Sequence, residues 1–322
     1  MTCKLVAVLA MTLSLLAAEA IAQSYPTRPV TLVVPFPAGG RTDLTARVVA
    51  QFLKTELGQP VVVVNKPGAS GVLGAKEVAG AGPDGYTLGV FSTGFLTTQY
   101  TVPTPTNARE YEFIALINMD PAAVAVPVAR GWKSLEELVA SGRANPDKLR
   151  VGTNPGSSAH VFAAAFAKAA NLEVVYVPFK GGGERTSALA GGHIDVDFDI
   201  VAPLRPMVEA GKVRILAVAA ERRVELYRNI ATMREQGVDL VISSWHGVFA
   251  PRGTPPAVIA TVSTALEKVA RNREFVEHMN KLLLGVHYLG SQDFARFFAR
   301  EDEVFKALIE KLGLHVAPKT AR

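Results

Sequence analysis

The stretch Val33–Asp43, reading VVPFPAGGRTD, constrains this chain more than any other. Two valines close an apolar run, two prolines stiffen the exit, Ala38-Gly39-Gly40 carries almost no side chain, and Arg41-Thr42-Asp43 opens a helical pattern. Such a unit delivers bare backbone N–H groups to a helix N-terminus, where unsatisfied donors and the positive end of the helix dipole stabilise an anion. The stretch therefore predicts a strand, a tight turn, a helix, and a small anion held by backbone between them.

The same alternation recurs along the chain. Pro29–Val34, Pro60–Asn65 and Tyr86–Phe91 read as strands, with Leu44–Leu57 and Val72–Ala81 as the helices between them and Gly58 as a helix stop. The VVVV run of the second strand suits a parallel sheet covered on both faces. Phe113–Ile117 and Ala122–Val128 read as an extended crossing to a second lobe, and Trp245–Pro251 as the return. Between them lies a second series. Ser134 starts a helix with Glu137 completing a capping box, and strands at Leu149–Gly152, Val174–Val177, Ile194–Ile200 and Ile215–Ala219 alternate with helices at Ala159–Ala170 and Glu184–Ala190. Val258–Ala270 and Phe294–Leu312 are amphipathic helices that pack back on the first lobe. The expected fold is α/β, with residues 23–122 and 247–322 forming one domain, 123–246 the other, two hinge crossings and a ligand cleft between the lobes.

Composition narrows the function. With 322 residues, 49 % apolar and 20 % charged, the chain is globular and long enough for two cores. A net charge of +5 comes from scattered Lys and Arg without aromatic interleaving, which argues against nucleic acid and for a mild bias towards anions. At the N-terminus Lys4, the apolar run Leu5–Ala18 and the small-x-small pattern ending at Ala22 read as a signal peptide over residues 1–22, which predicts export of the mature protein. The single cysteine, Cys3, lies ahead of that run, so disulfides and cysteine-based zinc sites are excluded.

Three small-residue turns are candidate binding elements: PFPAGGRTD, NPGSSAH and FKGGG. In open α/β sheets ligands bind beyond the carboxyl ends of strands, so turns from two lobes face each other across a cleft. None matches a nucleotide motif: in Lys180-Gly181-Gly182-Gly183 the lysine precedes the glycines, and PAGGRTD lacks dinucleotide spacing. Ser157, Ser158 and His160 invite a hydrolase reading, yet GSSAH is not a nucleophile elbow, and the serines read better as an N-cap and as hydroxyl donors. Asp195, Asp197 and Asp199 alternate on one strand face; one is expected to reach the cleft and the others to pair structurally. Phe36 and Phe179, beside the glycine turns, are expected on the pocket wall.

These motifs, together with NKPGASG, GHIDVDF and SWHGVFAPRGTPP, resemble the tripartite tricarboxylate transporter substrate-binding proteins, the Bug family of periplasmic receptors, over essentially the whole mature chain. The resemblance implies a type II-like periplasmic-binding-protein fold that closes on a small mono- or dicarboxylate and delivers it to a membrane permease of a large and a small subunit. It implies ligand contacts at Phe36, Ala38, Gly39, Gly40 and Thr42, at Gly156, Ser157 and Ser158, and at Lys180, Gly181 and Asp199. The chain departs from the family pattern at Arg41, where a small polar residue is frequent and a cation could meet the ligand, and at Phe179, where tyrosine is usual. No catalytic residue, metal or cofactor is expected, and the receptor is expected to be a monomer. A ligand-loaded sensor that docks on a signalling domain is the alternative from another class, and an exported hydrolase a third.

Overall fold

The computed structural model describes residues 25–103, 105–146 and 148–317; the expected signal segment 1–22, with Cys3, lies outside the described residues. The first series opens with β1 (Val30–Val34), whose exit leads through the glycine turn into α1 (Arg41–Leu57). Gly58 ends α1 at φ 65°, the left-handed stop that its lack of a Cβ permits. β2 (Val61–Asn65), α2 (Val72–Ala79) and β3 (Thr87–Ser92) follow, and β1 pairs in parallel with both β2 and β3. The position of β2 differs from expectation. It forms the sheet edge, and Val62 is 47 % exposed, so its valine run reflects β-propensity and not burial on both faces.

Next comes α3 (Thr93–Thr101), for which the sequence shows no helical signal. Its threonines carry strand propensity, but Ser92 caps the start, and the Thr97, Thr98 and Thr101 hydroxyls donate to carbonyls within the preceding turn. β4 (Tyr111–Pro121) then runs almost without a break into β5 (Ala123–Pro127), leaving one sheet and entering the other at Ala122.

The second series holds α4 (Leu135–Ala144), β6 (Arg150–Thr153), α5 (Ser158–Ala170), β7 (Val175–Pro178), α6 (Gly182–Ala190), β8 (Val196–Asp199), α7 (Val201–Glu209) and β9 (Val213–Val218). α7 likewise has no counterpart in the sequence reading, and it carries Pro203 and Pro206. The chain returns through β10 (Ser243–Pro251), then α8 (Pro256–Arg271), α9 (Arg273–Lys281), β11 (Val286–Gly290) and α10 (Ser291–Lys311). The first sheet has the order β11-β4-β10-β3-β1-β2, and the second β7-β6-β8-β5-β9. The run Trp245–Pro251 is thus not a connector. It lies inside the first sheet, antiparallel to β3 and β4.

The return falls earlier, where three backbone segments meet. Ala219 N donates to Ala122 O at 2.7 Å, Ala122 N to Ile242 O at 3.0 Å, and Ile242 N to Ala219 O at 3.0 Å. Beside this junction Asp120 is buried, accepting from Asn118 Nδ2 at 2.8 Å and from Gly285 N at 2.8 Å. Burial raises its carboxyl to about 7 against the lowering effect of those two donors.

Two expectations follow from this packing. Gly74 lies inside α2, and a Cβ there would stand 2.6 Å from Lys66 O and 2.7 Å from Pro35 Cα, so the helix backbone rests on the exit of β1. Gly74→Ala should therefore destabilise by about 1–3 kcal/mol in urea denaturation, against the gain of about 1 kcal/mol usual for Gly→Ala inside a helix. Asp120 holds its proton in the native state up to about pH 7, whereas an unfolded chain releases it near about pH 4. The native state thus binds the extra proton in that window, and stability falls as pH rises through it. Asp120→Asn should flatten this decline in thermal melts taken from pH 4 to pH 8.

Candidate functional site

Three helices begin around one cavity between the two sheets. α1 starts after Gly40, α5 after Ser157 and α6 after Gly181, and none of these starts has a side-chain cap. Two of the cap residues are glycines with no oxygen to offer. The third, Ser157, stands at the N-cap as expected, but its hydroxyl makes no cap bond and is buried without a partner. The first N–H groups of each helix therefore lack intrahelical acceptors and face the cavity with the positive ends of three dipoles.

The cavity measures about 40 Å³. Its walls are Phe36, Pro37, Gly40, Arg41 and Thr42 from the first series and Asn154, Ser157, Gly181, Gly182, Arg185 and Asp199 from the second. Of the residues the sequence singles out, Phe36, Gly40, Arg41, Thr42, Ser157, Gly181 and Asp199 are thus brought together. The others stand around them. Ala38 and Gly39 are exposed, and the Gly39 N–H is taken by Asp43 Oδ2 at 2.9 Å, in a turn whose φ of 82° favours glycine. Asp43 also accepts from Arg47 Nε and Asn65 Nδ2, each at 2.9 Å. Burial pushes its carboxyl up, but these bonds outweigh burial and hold it below its ordinary value.

Gly156 turns its carbonyl to Thr97 Oγ1 at 3.2 Å and Thr101 Oγ1 at 2.6 Å, so α3 clamps the second-series turn against the first. Phe179 is half-buried and accepts from Asn154 Nδ2 at 2.7 Å, and Lys180 is exposed with its N–H on Glu184 Oε2. These two orient the wall. Ser158 is buried just behind it.

Arg41 crosses the cavity. Its Nη1 donates to Asp199 Oδ1 at 2.9 Å and its Nη2 to Ser158 Oγ at 2.5 Å, with the guanidinium 5.9 Å from the Phe162 ring. Asp199 in turn accepts from Arg185 Nη2 at 2.9 Å and from Ile200 N at 2.9 Å. Arg185, absent from the expected set, is fully buried and also holds Asp197 Oδ1 at 2.6 Å and Asn154 Oδ1. A signal for it exists in the sequence: two aspartates on an otherwise apolar strand need a buried counter-charge, and Arg185 sits one turn into the helix after the glycines. Asp195 points elsewhere, to Arg130 and Arg150. As expected, one aspartate of the three reaches the cleft and the others pair structurally.

The hydrolase chemistry finds no geometry here. The Ser158 hydroxyl accepts from Arg41, and His160 Nδ1 accepts from Gly156 N at 3.3 Å, so the imidazole faces backbone and neither serine. The buried His246 meets Asn118 Oδ1 through Nδ1 at 2.9 Å, and burial, with Arg41 nearby, lowers it to about 3. It is a neutral part of the first sheet.

A cavity walled by helix starts, between two α/β sheets joined by paired crossings, defines the class of periplasmic solute-binding receptors. Comparison with known proteins makes this more specific. The profile of the tripartite tricarboxylate transporter family receptor matches residues 45–314. The UPF0065 protein in the gbd 5′ region of Cupriavidus necator is 35% identical over 308 residues, 95% of this chain and 94% of that protein. The periplasmic binding protein BugD superposes with a TM-score of 0.85 at 29% identity, over 90% of this chain and 99% of that one. Rpa4515 of R. palustris, solved with adipate, gives 0.87 at 29% identity, over 92% and 100%. The chain belongs to the tripartite tricarboxylate transporter receptor family, the Bug family of periplasmic solute-binding proteins.

Arg185 is the keystone of the wall. Arg185→Gln leaves two buried carboxylates with the single charge of Arg41 between them, and breaking a buried pair costs about 3–5 kcal/mol. Chemical denaturation should show a loss of that size.

Proposed function

We propose that this protein captures a small carboxylate in the periplasm and delivers it to a membrane permease of a large and a small subunit. The observation that carries this reading is the convergence of three uncapped helix starts and the Arg41 guanidinium on one small cavity. Backbone donors at helix starts are already in place for a carboxylate, which lowers the cost of binding. The adipate held by the R. palustris relative supports the same ligand class. In this reading residues 25–122 with 243–317 form one lobe and 123–242 the other. They hinge at the Ala122–Ala219–Ile242 junction, and ligand contacts made to both lobes at once drive closure. Phe36, Gly40, Arg41 and Thr42 meet the ligand from the first lobe, and Ser157, Ser158, Gly181 and Asp199 from the second.

Calorimetry against a panel of aliphatic and aromatic mono- and dicarboxylates is the test. At least one acid should bind with Kd of about 1 μM or tighter, about −8 kcal/mol. Gly40→Val is the matched control. The Gly40 backbone, at φ −82° and ψ 169°, suits valine, and a Cβ there meets only Pro37 O at 3.7 Å. The fold should survive while the added side chain blocks the start of α1, weakening binding by about tenfold or more, or about 1.4 kcal/mol. A panel without a binder, together with purified protein that carries no acid, would remove the carboxylate reading.

A further inference from the structure

Arg41 and Asp199 stand on opposite sides of the cavity, one at the start of α1 and the other at the end of β8, and Nη1 reaches Oδ1 at 2.9 Å. The pair therefore bridges the two sheets, and widening the gap between them separates it. The cavity beside it measures about 40 Å³. A ligand acid that enters it displaces the Arg41 guanidinium from Asp199 Oδ1. In that place it stands between a cation on one side and an anion on the other.

The charges around the pair decide what the far end of such an acid can be. Arg185 is the other cation on the cavity wall, and it is divided between Asp197 at 2.6 Å and Asp199 at 2.9 Å. Once Arg41 turns to a ligand carboxylate, one positive charge faces two negative ones in a buried cluster. A second ligand carboxylate against Asp199 would add like charge where solvent does not screen it. A hydroxyl or ammonium group instead restores the donor that Asp199 Oδ1 has lost. The released Ser158 Oγ becomes a further donor for the carboxylate end.

Resting on the carboxylate-receptor reading, we propose that Arg41 and Asp199 read opposite ends of one ligand: Arg41 takes its carboxylate and Asp199 a hydrogen-bond donor on an adjacent carbon. The receptor then selects hydroxy- or amino-substituted acids over their unsubstituted counterparts.

Calorimetry on matched acids tests this, with propionate against lactate and alanine, and succinate against malate and aspartate. In the wild-type protein a substituted member of a set should bind about tenfold tighter or more, because an analogue lacking the donor leaves the buried carboxylate short of a partner. The lactate and alanine arms distinguish hydroxyl from ammonium. In Asp199→Asn, shown to be folded by its thermal melt, the advantage should shrink to less than about threefold, with the amino-substituted acids losing most. Arg41→Ser should weaken every acid by a similar factor and keep the preference, which gives a second reading should Asp199→Asn not fold. Equal or tighter binding of the unsubstituted acids, or a preference that persists in Asp199→Asn, overturns the proposal and leaves the carboxylate reading standing. A protein that binds none of these acids overturns the proposal, and the carboxylate reading falls with it only when the wider panel also holds no binder and the purified protein carries no acid.

Discussion

Asp197 and Asp199 end a strand whose surroundings are closed to water, and unpaired carboxylates there would cost several kcal/mol each. Arg185 meets both, and in doing so it fixes the first turn of α6, where Gly181 and Gly182 form one wall of the cavity. Arg41 completes the cluster from the other sheet. Two cations and two anions balance, so the cluster is neutral as it stands. The walls of the cavity, drawn from two separate α/β units, are in register because these four charges are. Asn154, held by the same Arg185, brings the turn before α5 into the arrangement.

Around this cluster the polar backbone is treated in two opposite ways. The helix starts that face the cavity are left uncapped, two by glycine and one by a serine whose hydroxyl stays unpaired. The turns just outside are heavily bonded: Asp43 gathers Gly39, Arg47 and Asn65, and the Gly156 carbonyl gathers two threonines of α3. Rigid flanks hold the free donors in place, and free donors are what an anion needs. The side-chain oxygens that would cap these helices in an ordinary protein are withheld around the cavity.

Much of the α/β framework was legible along the chain. Continuous valine runs, glycine stops and apolar spacing marked β1, α1, β3 and α5 within a few residues, because each of those signals is local. What stayed unread or was misread was residue chemistry whose outcome depends on context. The threonines of α3 bond within their own helix. The prolines of α7 fall in a helix packed against α6, and the valines of β2 lie at a sheet edge. At the cavity, the glycine turns were readable as backbone-donor elements, and Asp199 as the one aspartate of three that reaches it. Arg185 was harder to read, since a helical arginine looks like a solvated one until the two aspartates of β8 are taken as needing a counter-charge.

By itself the sequence determined most of the units: which segments alternate as strands and helices in the two series, and that glycine turns join them. These follow from backbone stereochemistry and side-chain spacing over ten or twenty residues. The tertiary structure decided which turns share a cavity and which charges meet in it. Arg41 and Asp199 are 158 residues apart in the chain, and Arg41 and Ser158 are 117 apart. No local propensity encodes such a pairing. It arises because burying a charge is tolerated only against its opposite, and the two sheets must close around that requirement.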